Sequence, residues 1–401
     1  MRRGRNLVVL VLANFIGYAT AADSPAVVEA QQMERADALP RTAFYDVTAA
    51  EIHGEPGALI RSEPADADGF AVTGVHVRRI LYRSRSQFGR ETVASAVVIV
   101  PDRKPPAGGW PTLIWAHGTM GVARQCAPSL TRQIGYYTTT LVQQGLEHDF
   151  AVVAVDYSGL GAGDRHEYLW KVANANDVAY AAPAARAAQP DLAPVWVAIG
   201  HSQGGQAVWG LAEKMVDLKD NSYRGGLALA PAIDTRPLVE HSAATADVTY
   251  YPVFVAYGIK SVFPEFDIAT MLKPTGLDAY PRLTTDGCWP VAHALFATVA
   301  PGTGVRDEWV NDSSVQTLFA QNQVGQKPVR GPLFIASGDV DTAVPADIVA
   351  TRVKELCKLD ANVEYRMYPG DHATMMTSSF QDQMRWIAER FKGTRVQTQC
   401  P

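Results

Sequence analysis

The chain has 401 residues and a formal net charge of −5; 47% of its residues are hydrophobic and 19% are charged. This apolar content excludes an intrinsically disordered chain, and the length allows one large domain or two ordinary ones. A mildly acidic chain is also a poor candidate for binding nucleic acid, so we expect no nucleic-acid partner. Composition therefore predicts a globular protein and gives no indication of its oligomeric state.

The first 22 residues have the layout of a secretory signal peptide. Three arginines within the first five residues precede an apolar stretch from Leu7 to Tyr18, and small residues follow up to Ala22. The apolar stretch is shorter than the roughly 20 residues needed to span a bilayer, although a retained membrane anchor is the alternative because it differs mainly in length. We predict that residues 1–22 are removed, that the protein is secreted or periplasmic, and that it has no stable membrane insertion.

The chain contains four cysteines, at Cys126, Cys288, Cys357 and Cys400. An even number of cysteines in an exported protein favours two disulfide bonds, for which three pairings exist. Four buried free thiols are the alternative. No two of the cysteines have the spacing of metal ligands, so the sequence predicts no metal site.

Apolar runs alternate with helical segments from residue 71 onward, a pattern that predicts an α/β fold with a mostly parallel sheet flanked by helices. Several runs are continuous rather than alternating, as expected for strands buried on both faces. Eight strands are predicted, at residues 75–84, 92–100, 111–116, 150–156, 195–200, 225–230, 331–336 and 362–368. Helices are predicted at residues 203–217, 346–358 and 378–391.

Two parts of the chain depart from this alternation. Residues 23–70 are rich in Ala, Pro, Asp and Glu and are predicted to form an irregular N-terminal arm. Residues 231–330 separate the sixth and seventh predicted strands by far more than a usual connection, and they are rich in aromatic residues. We expect a cap over the strand ends here, before the last two strands, with an ordinary surface insertion as the alternative. Residues 71–230 and 331–401 then form the core.

The sequence Gly200-His201-Ser202-Gln203-Gly204 lies between an apolar predicted strand and a predicted helix. G-x-S-x-G at such a junction is the pattern of a nucleophile elbow, in which a strained turn exposes the serine. Glycines are needed on both sides because a Cβ there would collide with the tight turn. We therefore predict that Ser202 is a catalytic nucleophile.

A serine nucleophile requires a base, and on this pattern the base is a histidine later in the chain. Three histidines follow Ser202, and two of them, His241 and His293, fall in the expected cap. His372 comes directly after the last predicted strand, where a loop can present it over the strand ends. The sequence therefore predicts His372 as the base.

The acid that orients the base should follow the preceding strand. That turn contains two aspartates, Asp339 and Asp341, and it reads Gly-x-x-Asp-x-x-Val-Pro from Gly338 to Pro345. The proline is placed to start the next helix. This spacing favours Asp341 as the acid, with Asp339 as the alternative.

An oxyanion formed at the serine needs two hydrogen-bond donors. One is predicted at Gln203, the residue after the nucleophile. The other is predicted at Thr119, which follows His117-Gly118 after the third predicted strand and can offer its N–H and its hydroxyl. A plain turn at His117-Gly118 is the alternative, and His117 itself is expected to be structural. No phosphate-binding loop or dinucleotide fingerprint is present in the sequence, which therefore predicts no cofactor.

Together these motifs resemble the α/β-hydrolase superfamily and, within it, the secretory lipase family. The resemblance covers roughly residues 75–395 and rests on His117-Gly118-Thr119, Asp156-Tyr157-Ser158-Gly159-Leu160-Gly161, Gly200-His201-Ser202-Gln203-Gly204-Gly205, Gly338-x-x-Asp341-x-x-Val344-Pro345 and His372. It implies an α/β-hydrolase fold that cleaves carboxylic esters, small or lipid-like, through a Ser-Asp-His triad and an acyl-enzyme intermediate. It also implies disulfide bonds between Cys126 and Cys288 and between Cys357 and Cys400.

Two other functions are alternatives to a secreted serine esterase or lipase. A serine peptidase or amidase would use the same triad on amides, but it would usually need a specificity domain or a charged site for a peptide terminus, and the sequence indicates neither. A non-catalytic binding protein on the same fold would have no need of a complete Ser, Asp and His set. Ester hydrolysis is therefore the function that the sequence favours.

Overall fold

The computed structural model describes residues 23–132 and 138–401. The predicted signal peptide, residues 1–22, lies outside the described residues. Among the residues that are described, no helix is both long and apolar enough to cross a membrane.

Nine strands form one sheet in the described parts of the chain: Leu59–Ala65 (β1), Val75–Arg85 (β2), Glu91–Pro101 (β3), Trp110–Ala116 (β4), Ala151–Val155 (β5), Leu192–His201 (β6), Tyr223–Leu229 (β7), Leu333–Gly338 (β8) and Val363–Tyr368 (β9). Their order across the sheet is β1-β2-β3-β5-β4-β6-β7-β8-β9. The pairs from β1 to β5 are antiparallel and the pairs from β5 to β9 are parallel. This mostly parallel sheet confirms the predicted fold class, with β1 as a ninth strand beyond the eight predicted.

The α-helices of the described residues are Pro25–Asp37 (α1), Ala49–Ile52 (α2), Thr138–His148 (α3), Lys171–Ala188 (α4), Gln203–Leu218 (α5), Thr235–Ala244 (α6), Tyr251–Val262 (α7), Pro274–Thr285 (α8), Trp289–Phe296 (α9), Ser313–Asn322 (α10), Ala346–Cys357 (α11), Thr374–Ser378 (α12) and Phe380–Phe391 (α13). The helices predicted at residues 203–217, 346–358 and 378–391 correspond to α5, α11 and α13.

The sheet is buried on both faces, because alternate residues of its strands belong to two separate hydrophobic clusters. In β4, Ile114 packs in one cluster with residues of α4 and α5, whereas Leu113 packs in the other with residues of α3 and α13. The central strands are buried along nearly their whole length, which explains why they are continuous apolar runs. The carboxyl ends of the parallel strands lie at one edge, where open α/β sheets place their binding sites.

The N-terminal arm differs from the irregular segment predicted for residues 23–70, since it contains α1, α2 and the edge strand β1. Helix α1 is docked on the cap, where the Glu34 carboxylate accepts a hydrogen bond from the Cys288 amide just before α9. Asp23 forms an ion pair of 2.6 Å with Arg282 in α8. These partners are 254 and 259 positions away, so a local sequence pattern cannot reveal the contacts that order the arm.

The segment between β7 and β8 contains helices α6 to α10 and precedes the last two strands, as predicted for the cap. Its end is fixed to the core by Asn322 in α10, which accepts a hydrogen bond from the Lys171 amide and donates one to the Leu169 carbonyl. The buried Lys171 ammonium lies 2.6 Å from Glu213 and donates to the Gln323 carbonyl. The cap therefore returns to the sheet through a buried polar junction.

The four cysteines, all within the described residues, form two disulfide bonds. Cys126 bonds to Cys288, with Cα atoms 5.6 Å apart, and joins the loop after β4 to the start of α9. Cys357 bonds to Cys400 and ties the C-terminal tail to the end of α11. These are the pairs that the resemblance to the secretory lipase family implies.

Candidate active site

Ser202 lies between β6 and α5 in a strained backbone conformation, with φ 56° and ψ −117°. A Cβ on Gly200 would lie 2.2 Å from the Gly204 carbonyl oxygen, and a Cβ on Gly204 would lie 1.8 Å from the Ala116 carbonyl oxygen. Neither contact is sterically possible, so the turn needs both glycines. The turn holds Ser202 at the carboxyl end of β6, directly before α5.

His372 and Asp341 meet at the same edge of the sheet, in the loops after β9 and β8. His372 Nδ1 donates to Asp341 Oδ2 at 2.7 Å. The other oxygen, Asp341 Oδ1, accepts hydrogen bonds from the Ala343 and Val344 amides at 2.9 and 2.8 Å, which fixes the carboxylate. A neutral His372 therefore carries its proton on Nδ1 and leaves Nε2 as the basic nitrogen.

Asp339, the alternative acid, has a different contact. Its Oδ1 accepts a hydrogen bond of 2.8 Å from the Gly370 amide. The Val340 amide donates to the Gly370 carbonyl at 3.3 Å, so the loops after β8 and β9 are joined at two points. Asp341 is the carboxylate that meets His372, and Asp339 holds the two loops together.

Ser202 and His372 line the same cavity, which has a volume of about 400 Å³. They do not hydrogen-bond to each other here, because the buried His372 Nε2 has no partner among the described residues. The cavity wall is largely aromatic or apolar and includes Trp115, Met120, Tyr251, Trp289, Ala373 and Met376. None of the described lining residues is Asp, Glu, Lys or Arg, so the cavity suits an uncharged apolar group.

The two predicted oxyanion donors both border Ser202. Gln203 is the first residue of α5, where the amide has no carbonyl of its own helix to bond. Thr119 follows Gly118, and a Cβ on Gly118 would lie 3.5 Å from Ser202 Cβ. The partial positive charge at the start of α5 is directed to the same place. The arrangement can stabilise a negatively charged oxygen next to Ser202.

A neutral imidazole supports the loop that carries His372. His201 Nε2 donates to the His372 carbonyl at 2.8 Å, and the two rings lie 4.5 Å apart. Burial, reinforced by the neighbouring His372, lowers the pKa of His201 to about 3. His201 therefore stays neutral near pH 7, and its Nε2 keeps the proton that this hydrogen bond requires.

The Gln203 side chain is held by two residues that no sequence motif marks. Gln203 Nε2 donates to Asn174 Oδ1 at 3.1 Å and to His166 Nε2 at 2.9 Å. Burial lowers the pKa of His166 to about 3, and its Nδ1 donates to the Ser158 carbonyl at 3.1 Å, so Nε2 is free to accept. This buried network fixes the first residue of α5.

His117 lines the cavity and is buried as a support for its wall. Burial lowers the pKa of His117 to about 4. The Tyr157 hydroxyl donates to the His117 carbonyl at 3.0 Å, and His117 Nε2 lies 3.3 Å from the Asp156 carbonyl. These contacts hold the loop that continues to Thr119.

A family model described as the alpha/beta hydrolase family matches residues 113–390, which is more than half of the chain. The chain belongs to this family. The recognition of the α/β-hydrolase superfamily from the sequence motifs is thereby confirmed. A comparison with curated proteins found no match.

Solved structures of a lipase and an esterase are similar to this alpha/beta hydrolase. Candida antarctica lipase A in its closed state has a TM-score of 0.77 at 20% sequence identity, over 90% of this chain and 89% of that chain. The rice cell wall degrading esterase LipA from Xanthomonas oryzae has a TM-score of 0.67 at 15% identity, over 85% of this chain and 100% of that chain. At these identities the likeness shows a shared fold.

Proposed function

We propose that this alpha/beta hydrolase is a serine hydrolase that cleaves carboxylic esters through an acyl-enzyme intermediate. The observation that carries the proposal is the buried Nε2 of His372, which has no partner among the described residues and shares a cavity with Ser202, while Asp341 binds the opposite ring nitrogen. This arrangement suits a base that takes the proton of a serine hydroxyl. The likeness to a lipase and an esterase supports the same reaction.

In the first half-reaction, Ser202 Oγ attacks the ester carbonyl carbon and its proton passes to His372 Nε2. Asp341 keeps Nδ1 protonated and stabilises the imidazolium that forms. The Thr119 and Gln203 amides donate hydrogen bonds to the oxyanion. The bond between the carbonyl carbon and the alcohol oxygen then breaks, and the alcohol leaves with the proton from His372 Nε2.

In the second half-reaction, water takes the place of the alcohol. His372 Nε2 accepts a proton from the water as its oxygen attacks the acyl carbonyl, and an oxyanion forms again beside the same two amides. The bond to Ser202 Oγ then breaks, and Ser202 regains its proton from His372. The carboxylic acid is released and the site returns to its starting state.

The cavity favours esters whose groups next to the carbonyl are apolar. Trp115, Tyr251 and Trp289 contribute aromatic wall, and the described lining residues include no acidic or basic side chain apart from histidine. A charged peptide terminus would lose its hydration there without gaining a partner. We therefore expect esters of apolar acids or alcohols, small or lipid-like, to be better substrates than peptides.

Hydrolysis of p-nitrophenyl esters and matched p-nitroanilides tests this proposal. With acyl chains from acetate to palmitate, we expect ester turnover, much slower anilide turnover, and one fluorophosphonate bound per chain, located on Ser202 by peptide mass spectrometry. Faster turnover of the anilides would instead identify an amidase. A folded protein that neither hydrolyses the esters nor takes the label would be a non-catalytic binding protein.

We propose further that the protein is exported and loses residues 1–22. The basic, apolar and small-residue layout of this segment supports export, as do the two disulfide bonds, because such bonds persist in oxidising compartments. N-terminal sequencing of the protein recovered from the periplasm or the medium is expected to begin at Asp23. Recovery of a membrane-bound chain that begins at Met1 would contradict this.

A further inference from the structure

Tyr168 contacts the proposed oxyanion site through a single buried hydroxyl. Its Oη lies 2.8 Å from Thr119 Oγ1, and the residue is only 2% exposed. The ring packs edge-on against Phe254, with centroids 5.9 Å apart, and against His166, with centroids 6.0 Å apart. The phenol is therefore fixed in place beside a residue that lines the cavity.

The direction of this hydrogen bond follows from the acceptor that the buried phenol proton needs. Burial raises the pKa of Tyr168 far above its ordinary value, so the phenol keeps its proton and needs an acceptor for it. If Thr119 were the donor, the phenolic O–H would be buried with no other acceptor among the described residues, which is unfavourable. If Tyr168 is the donor, the proton of the partly exposed Thr119 can turn to water or substrate in the cavity.

We infer that Tyr168 donates to Thr119 Oγ1 and thereby turns the Thr119 hydroxyl proton toward the oxyanion, as a third donor beside the two amides. This inference rests on the proposed function. A threonine hydroxyl has one proton and two lone pairs, so occupation of one lone pair by Tyr168 leaves the proton free. Thr119 donates to the reacting oxygen, and Tyr168 is a positioning residue that acts through it.

The hydrogen bond from Tyr168 to Thr119 and the one from Thr119 to the oxyanion are called the relay below. Four variants test it: Thr119→Val, Thr119→Ser, Tyr168→Phe, and the double variant Thr119→Val with Tyr168→Phe. Valine has nearly the shape of threonine and keeps the amide donor, so Thr119→Val is expected to lower kcat for a p-nitrophenyl ester about tenfold or more. Thr119→Ser keeps a hydroxyl and should lose less. Tyr168→Phe should lower kcat about fivefold, with KM changed less than about twofold because the third hydrogen bond forms in the transition state.

The double variant separates positioning from packing. If Tyr168 acts only through the Thr119 hydroxyl, Tyr168→Phe has no further effect on kcat once residue 119 is valine. An equal loss in both backgrounds, or no loss in the wild-type background, would overturn the relay while leaving the proposed function intact.

Two further outcomes complete the test. Should the Tyr168→Phe protein fail to fold, the comparison of Thr119→Ser with Thr119→Val still tests the Thr119 hydroxyl. Equal kcat values for these two variants would overturn the role of the hydroxyl, and the relay with it. A wild-type protein that is folded but shows no ester turnover and no fluorophosphonate label would remove the proposed function, and the relay with it.

Discussion

Replacement of Ser202 by alanine is expected to lower kcat for a p-nitrophenyl ester by about 10⁶-fold, because the acyl-enzyme cannot form without the hydroxyl. The Thr119 and Gln203 amides remain in the variant, so substrate should still bind and KM should change much less than kcat. Steady-state kinetics measure the loss. Fluorophosphonate labelling should disappear in the same variant.

The matched control for this substitution is Thr377→Val, which removes another hydroxyl from the wall of the same cavity. Thr377 takes no part in the proposed reaction, so its variant should keep kcat within a few-fold of the wild-type value and accept the fluorophosphonate. Turnover by the Ser202→Ala protein close to the wild-type rate would mean that a different nucleophile performs the reaction.

The second large effect is expected for Asp341→Asn, which should lower kcat by about 10⁴-fold through a change of tautomer at His372. The Ala343 and Val344 amides require an acceptor, so the asparagine oxygen will face them and its NH₂ group will face His372. His372 Nδ1 must then accept a hydrogen bond, and the ring proton moves to Nε2. A protonated Nε2 cannot take the Ser202 proton.

Asp339→Asn provides the control, because it alters a carboxylate in the same loop that contacts the Gly370 amide instead of His372. The asparagine oxygen can still accept that hydrogen bond, so activity should stay within a few-fold of the wild-type value. Circular dichroism and melting temperature would show that both variants are folded. Equal losses for the two variants would contradict the assignment of Asp341 as the acid.

The core strands could be predicted to within a few residues because burial on both faces imposes long apolar runs. The run predicted as a strand at residues 150–156 is Ala151–Val155, and the one predicted at 362–368 is Val363–Tyr368. Chain order and loop position also predicted that Ser202, His372 and Asp341 lie at one edge of the sheet. These features depend on local composition and on general rules for parallel sheets.

The elements of the arm were missed because their stability is not local. Strand β1 contains Pro64 and two charged residues, Arg61 and Glu63, and pairs only with β2 in the sheet of the described residues, so it lacks the apolar pattern of a central strand. Helix α1 is fixed by contacts of Glu34 and Asp23 with the cap. The five cap helices likewise depend on tertiary packing, because they pack against one another and, through α10, against α4.

Within the candidate site, motifs mark the reacting groups and leave their supports unmarked. Tyr168 lies just before α4 in no recognisable motif, yet the fold brings it to Thr119 from 49 positions away. His166 and Asn174 reach Gln203 in the same manner. Residues of this kind can be found only when tertiary contacts are known.

The Cys126–Cys288 bond restricts how a bulky molecule can enter the cavity. It joins the loop after β4 to the start of α9, and the Trp289 amide adds a hydrogen bond of 2.9 Å to the Met120 carbonyl. Since the bridged Cα atoms can separate little further, the start of α9 cannot move away from that loop. Parts of the wall that this bond does not tie, such as α7 with Tyr251, are therefore the ones that can move to admit a bulky molecule.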